Sequence, residues 1–494
     1  MRCSRTIATL VLCIGCLGIG SMAPGAQRPN ILFCLADDWG WPHAGAYGDP
    51  VVKTPAFDRL AREGVLFEHA FVSSPSCTPC RNAVVTGQQF YRLGHGANLH
   101  STLSINQPNF MFLLRDAGYQ IGHWRKAWGP GKWNVGGYTE HPCGPDASFK
   151  AFFDRRDASK PFCFWFGTSD PHRPYEKGNG RASGMDLDAV PVPDFWPNDE
   201  TVRSDIADYY WEVQRWDRDV AESLDMLEKV GELDNTIVVM TGDHGMPFPR
   251  CKGNLYDRGT RVPLAIRWSA KVPAGRKVTD FVSFTDLAPT FLEAADVGVP
   301  RAMTGRSLLP LLTADGEGRL DADRDFMVFG RERHTPAQEA PEPGGYPVRA
   351  IRTDRYLYIR NYEVERWPAG TPNWQQAFKD RGWLGDCDGG PTKFYLVANQ
   401  DLDAAHRRYY DLCFAKRPAE ELYVLADDPD QVNNVAADPA YADVKSRLAA
   451  RLTDYLRTTA DPRHTAQPVE FDTYPYYGGI PAWPGEPVLN KYRR

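Results

Sequence analysis

After residue 26 the chain of 494 residues has no apolar run approaching the ~18 residues that a membrane-spanning helix needs. Positive charge is not in surplus either. The 57 Lys and Arg are outnumbered by 63 Asp and Glu for a formal charge of −6, which becomes −8 without Arg2 and Arg5, so a nucleic-acid binder with a basic face is not expected. Cysteine is sparse. Of eleven, Cys3, Cys13 and Cys16 precede residue 27, and the remaining eight are too few for a disulfide scaffold in so long a chain. No internal repeat or low-complexity tract is evident. With 42% hydrophobic and 24% charged residues, 43 Gly and 40 Pro, the composition excludes collagen-like, disordered and coiled-coil classes and argues for a globular chain of one large domain or two.

What is present begins with a targeting pattern. Arg2 and Arg5 precede an apolar run over residues 7–19, and small residues follow at Ser21, Ala23, Gly25 and Ala26. Residues 1–26 are therefore expected to be a signal peptide, with the mature chain exported to a periplasm or beyond. A lipoprotein anchor at Cys13 or Cys16 fits the flanking residues poorly.

From Pro29 onward short apolar runs alternate with amphipathic stretches, the pattern of an α/β fold with a mainly parallel sheet flanked by helices. Four runs end in groups able to do chemistry. Residues 30–36 stop at Asp37-Asp38, residues 119–124 lead to Arg125-Lys126, residues 161–167 to Asp170-Pro171-His172, and residues 236–240 to Asp243-His244-Gly245. Ligands in open α/β sheets bind outside the carboxyl ends of the strands, so four segments deliver polar groups to one edge. Residues 202–230 read as a long amphipathic helix. Past about residue 340 the texture changes: residues 348–362 resemble a hairpin and 442–458 a helix, which suggests a catalytic part over 27–340 and a smaller C-terminal α+β domain with an antiparallel sheet over 341–494.

Adjacent carboxylates at a strand end repel unless a cation or base neutralises them, and a hard divalent cation would serve for Asp37 and Asp38. A solvated loop is the plainer alternative; Asp243-His244 at an equivalent strand end favours the metal, with His244 the less secure ligand. Cys77-Thr78-Pro79-Cys80-Arg81 could be a redox pair, half a zinc site, or contain a buried structural cysteine. Zinc lacks a second Cys-x-x-Cys or a close His pair.

Cys77-x-Pro79-x-Arg81 followed by Asn82-Ala83-Val84-Val85-Thr86-Gly87 resembles the signature of the type I sulfatases, in which that cysteine is oxidised to formylglycine. Residues 30–38, 54–61, 241–245, 285–290 and 421–423 resemble further family segments in consistent order, over about residues 28–460. The resemblance implies an alkaline-phosphatase-like α/β fold, one Ca²⁺, a formylglycine-generating enzyme as maturation partner, and hydrolysis of sulfate esters or sulfamates. Residue by residue it implies Asp37, Asp38, Asp243, His244 and the modified Cys77 around the metal, with Arg81, Lys126, His172 and Lys252 around the sulfuryl group. His172 would protonate the leaving group while the cations stabilise charge on oxygen.

Two positions depart from the pattern. Cys80 stands where Ser or Ala is usual, so a Cys77–Cys80 disulfide could compete with oxidation and a thiol-disulfide oxidoreductase is the rival reading. A His usual two or three residues after the lysine is replaced by Trp128 and Gly129, which leaves the identity of one base open and admits a catalytically inactive carbohydrate-binding relative. His123 would point to the opposite face of its strand. Residues 178–185 and 246–256 resemble the heparan N-sulfatase (sulfamidase) branch, so the expected substrate is a sulfated carbohydrate, and Arg250, Lys252, Arg258 and Arg261 are expected to form a basic rim for it.

Overall fold

A computed structural model describes residues 28–465 and 468–494. The segment expected to be a signal peptide lies outside the described residues.

Among the described residues eleven strands form two sheets: β1 Asn30–Ala36, β2 Val65–Phe71, β3 Gln120–Trp124, β4 Phe162–Gly167, β5 Thr236–Gly242, β6 Leu264–Arg267, β7 Arg276–Ser283, β8 Phe326–Arg331, β9 Val348–Thr353, β10 Tyr356–Asn361 and β11 Glu420–Val424. The larger sheet has the order β3-β4-β1-β5-β6-β2-β7. Its first four strands run parallel, β6 is antiparallel to both neighbours, and β2 pairs parallel with β7. All four segments expected to end in functional groups are thus adjacent parallel strands, and their carboxyl ends share one edge. β1 is buried throughout because both its faces are covered. Leu32, Cys34 and Ala36 face one apolar layer, with Val213, Trp216, Val220 and Leu224 of the helix Glu200–Lys229, while Ile31, Phe33 and Leu35 face the other, with Phe110, Leu114, Phe291 and Leu292.

The smaller sheet is antiparallel, in the order β11-β10-β9-β8, and the expected hairpin is β9–β10. The helix Ala442–Thr458 closes one of its faces through Leu448, Leu452 and Leu456, which pack with Val328, Ile351, Tyr358 and Leu422. Arg349 at its centre donates to Asp461 and Glu332, each at 2.6 Å, fully buried. Among the described residues no helix is long and apolar enough to cross a membrane.

Candidate active site

The helix Cys77–Thr86 is buried along its whole length, so it is held from all sides. Cys80 and Val84 lie in the apolar layer beneath the large sheet, whereas Cys77, at the first turn, faces the strand ends. Cys77 Sγ lies 3.3 Å from His244 Nε2, 3.3 Å from Lys126 Nζ and 3.7 Å from Asp37 Oδ1. Both Cys77 and Cys80 are free thiols. Burial pushes the Cys77 thiol up, the opposite of what a reactive redox thiolate requires.

Asp37 and Asp38 follow β1 directly. Asp38 adopts a left-handed backbone, φ 73°, a region aspartate enters more readily than most residues, and its N–H donates to Asp243 Oδ1 at 2.8 Å. β5 can deliver Asp243 this close because Gly242 has no side chain: a Cβ there would lie 2.1 Å from the Trp39 carbonyl oxygen. Arg81, fully buried, donates to Asp243 Oδ2 at 2.9 Å and to Asp37 Oδ1 at 3.2 Å, with two further bonds to the carbonyls of Lys126 and Ala127. Lys126 Nζ sits on both Asp37 oxygens, 2.5 and 2.6 Å away. Lys252 Nζ donates to Asp38 Oδ2 at 2.9 Å, and His172 Nε2 lies 3.8 Å from the same oxygen. His172 Nδ1 is bonded to the Arg173 carbonyl at 2.6 Å, which leaves Nε2 turned to the site. The resemblance therefore nominated residues from six separate segments that the fold does bring together.

The electrostatics separate the two leading carboxylates. Burial alone would raise Asp37, but the charges of Lys126, His172, Arg81 and Lys252 hold it well below the usual carboxylate range. For Asp38 burial prevails and raises its carboxyl, although Lys252, His172 and His244 pull the other way. Asp38 Oδ1 is moreover buried without a hydrogen-bond partner, 3.4 Å from His244 Nε2. Donor atoms of Asp38, Cys77 and His244, and of Asp37, Cys77 and Asp243, each cluster within 4.8 Å. An orphaned buried oxygen among hard carboxylate donors fits a divalent cation, which would satisfy it and offset the desolvation cost.

Sequence reasoning missed Asp388. Its Oδ2 is 3.0 Å from Lys252 Nζ, and against the effect of burial the charges of Lys252 and His172 hold its carboxyl below the usual range. The only signal was the run Asp386-Cys387-Asp388-Gly389-Gly390, acidic and glycine-rich as binding loops are. Also missed were His334, whose Nδ1 is 2.9 Å from Ser76 Oγ, and His100. The expected basic rim is not formed. Arg250 is buried with its guanidinium on the carbonyls of Leu412 and Gln431, and Arg261, also buried, is bonded to the Glu68 carbonyl and covers the Trp41 ring; Arg258 pairs with Asp430. Each arginine ties loops together, and only Lys252 of the four reaches the site.

Comparison with known proteins gives the family. Residues 29–297 match the sulfatase family model, and residues 242–369 match the model described as N-sulphoglucosamine sulphohydrolase, C-terminal. The chain is 30% identical to human N-sulphoglucosamine sulphohydrolase, covering 88% of this chain and 91% of that protein. It is 29% identical to an ulvan-active sulfatase of Formosa agariphila, covering 88% and 81%. A solved protein in complex with its substrate D-glucosamine-2-N,6-O-disulfate superposes with a TM-score of 0.61 at 21% identity over 88% of this chain and 99% of that one, a likeness that carries the fold. A family match over more than half the chain, together with a relative aligned along nearly its whole length, shows that the chain belongs to the sulfatase family, is sulfamidase-like, and is an enzyme of the sulfuric ester hydrolase class.

Proposed function

We propose that the enzyme removes sulfate from a sulfated carbohydrate, with N-sulfated glucosamine as the first substrate to try, after Cys77 has been converted to formylglycine by a maturation enzyme. The observation that carries this reading is the position of Cys77 Sγ, within 3.3 Å of both a cation, Lys126, and an imidazole, His244, at the meeting point of the strand ends. Asp37, Asp38, Asp243, His244 and residue 77 would hold one Ca²⁺. When present, the modified residue supplies a hydroxyl nucleophile and the ion a positive centre for the sulfuryl oxygens.

The chain's own residues do the rest. Lys126 and Lys252 bind and orient the sulfuryl group, while Arg81, spent on Asp37, Asp243 and two carbonyls, fixes the geometry of the carboxylates. His172 holds a proton at Nε2 for the departing oxygen or nitrogen; about a third of its side chain is exposed, so the ring can be reprotonated from solvent. The division into a catalytic part over 27–340 and a smaller part over 341–494 belongs to the same proposal, with β8 contributed across it, as does export through residues 1–26. Similarity to the human sulfamidase and to the structure holding a doubly sulfated glucosamine supports an amino-sugar substrate.

Matured protein should be offered N-sulfated and O-sulfated glucosamine saccharides beside a small phosphate ester. Release of sulfate from either saccharide supports the reading, and preference for the phosphate ester overturns it. Turnover of O-sulfated sugars alone would remove the sulfamidase assignment and keep the sulfatase one.

A further inference from the structure

The site as described has a proton donor in His172 and no proton acceptor. His244 is turned to the metal position, and the loop after Lys126 offers no imidazole. Trp128 is buried with its indole N–H on Asn82 Oδ1 at 2.5 Å, and residue 129 is glycine. His123 is turned away, its Nδ1 on the Gly144 carbonyl at 2.8 Å and its ring stacked 3.9 Å from His141.

A further imidazole stands on the segment that borders Cys77, at residue 100. The His100 N–H donates to Thr78 Oγ1, next to Cys77, at 3.3 Å; Thr78 Oγ1 donates to the Pro130 carbonyl at 2.5 Å, and Ser101 bridges to Gly131. The segment is therefore tied to the helix of Cys77 and to the loop of Lys126 at once. From the other side the Tyr477 N–H donates to the His100 carbonyl at 2.9 Å, Tyr476 stands edge-on to the ring at 5.3 Å, and Gly478 lies so close that a Cβ would fall 2.3 Å from ring atoms. Among the described residues neither ring nitrogen has a hydrogen-bond partner, and neither is sealed from solvent. The charges acting on the ring are those of Lys126, Lys252 and His172, from three different strand ends; burial first, and these cations next, push the imidazole down to about 4, so it is neutral and able to accept a proton near neutral pH. The rival, His334, is 4% exposed and committed to Ser76.

We propose that His100 is the proton acceptor of the step that frees sulfate, an inference that rests on the reading of residue 77 given above. His100 takes the proton of a hydroxyl on the residue-77 side-chain carbon. The O–H electron pair closes the carbonyl, and the bond from that carbon to the sulfate oxygen breaks with its pair leaving on sulfate. The proton then passes from the imidazolium to solvent.

The test compares matured wild type, His100→Gln and His334→Gln on a chromogenic aryl sulfate by rapid mixing. His100→Gln should release phenol in a burst of about one equivalent per site and then turn over about 100-fold or more slower than wild type, with the acid limb of its pH profile altered, whereas His334→Gln should show no such burst. A second measurement needs no maturation: in protein with Cys77 intact, nitrogen NMR should find His100 neutral at about pH 6, and Lys126→Met should make it easier to protonate. An unchanged steady rate in His100→Gln, or a charged His100 at that pH, would overturn the proposal. If matured wild type releases no sulfate from any ester, it is the function that fails, and the titration still tests the neutral ring.

Discussion

Asp388 Oδ2 and Lys252 Nζ lie 3.0 Å apart, joining a loop of the C-terminal third to the ammonium that also serves Asp38. This pair is one way in which the later part of the chain takes part in the site, beside His334 on Ser76 and the Tyr476–Gly478 segment around His100.

Asp388 acts through Lys252 and should cost less than it. Lys252→Ala is expected to lower kcat by about 10²–10³-fold, as for loss of a transition-state charge partner. Asp388→Asn should lower it by about tenfold, the lower range for a group that orients another. Steady-state kinetics on one sulfated substrate checks the ranking, and equal losses would mean that Asp388 itself meets the substrate.

The same pair predicts a pH dependence. Because the folded carboxyl of Asp388 is held below its usual value, its contribution to stability is complete above the unfolded value and is lost as pH falls through the folded one. The stability difference between wild type and Asp388→Asn, from denaturant unfolding, should be constant above about pH 4 and shrink below it. A difference that grows toward acid would contradict the assignment.

Asp38→Asn keeps the volume and hydrogen-bonding reach of the side chain but removes the charge beside the orphaned Oδ1. Wild type should gain thermal stability on adding Ca²⁺ and lose it with chelator, whereas Asp38→Asn should respond weakly and carry substoichiometric metal. Asp243→Ala should lose metal and activity together, with added instability because Arg81 and the Asp38 N–H lose their partner.

Arg349 binds two buried carboxylates, so Arg349→Met should destabilise the fold by about 3–5 kcal/mol in denaturant unfolding. Arg258→Ala, which opens a 3.5 Å pair with Asp430 and a 6.0 Å approach to the Trp41 ring, should cost less, about 1 kcal/mol, and leave kcat/KM near wild type.

Much of this was legible in the sequence because it is local. A run of apolar residues followed by charged residues or histidine announces a strand that ends at an edge, and β1, β3, β4 and β5 do so side by side. The hairpin β9–β10 and the helix Ala442–Thr458 followed from periodicity in the same way. What a linear pattern could not show was partnership at a distance. Arg250 and Arg261 look like surface charge beside Lys252, yet both are buried against carbonyls brought in from remote segments. Asp388 and His100 carry no motif, and their roles exist only once the loops after β3 and β5 and the C-terminal segment have packed around Cys77.

The most direct test of the account is peptide mass spectrometry of the Cys77 segment in protein co-produced with a formylglycine-generating enzyme, before and after an aldehyde-specific reagent. An aldehyde at residue 77, a free thiol at Cys80, and sulfate release in proportion to the aldehyde content are expected. A reversible Cys77–Cys80 disulfide in place of the aldehyde, or sulfate release that is unchanged when Cys77→Ala removes the residue, would contradict it.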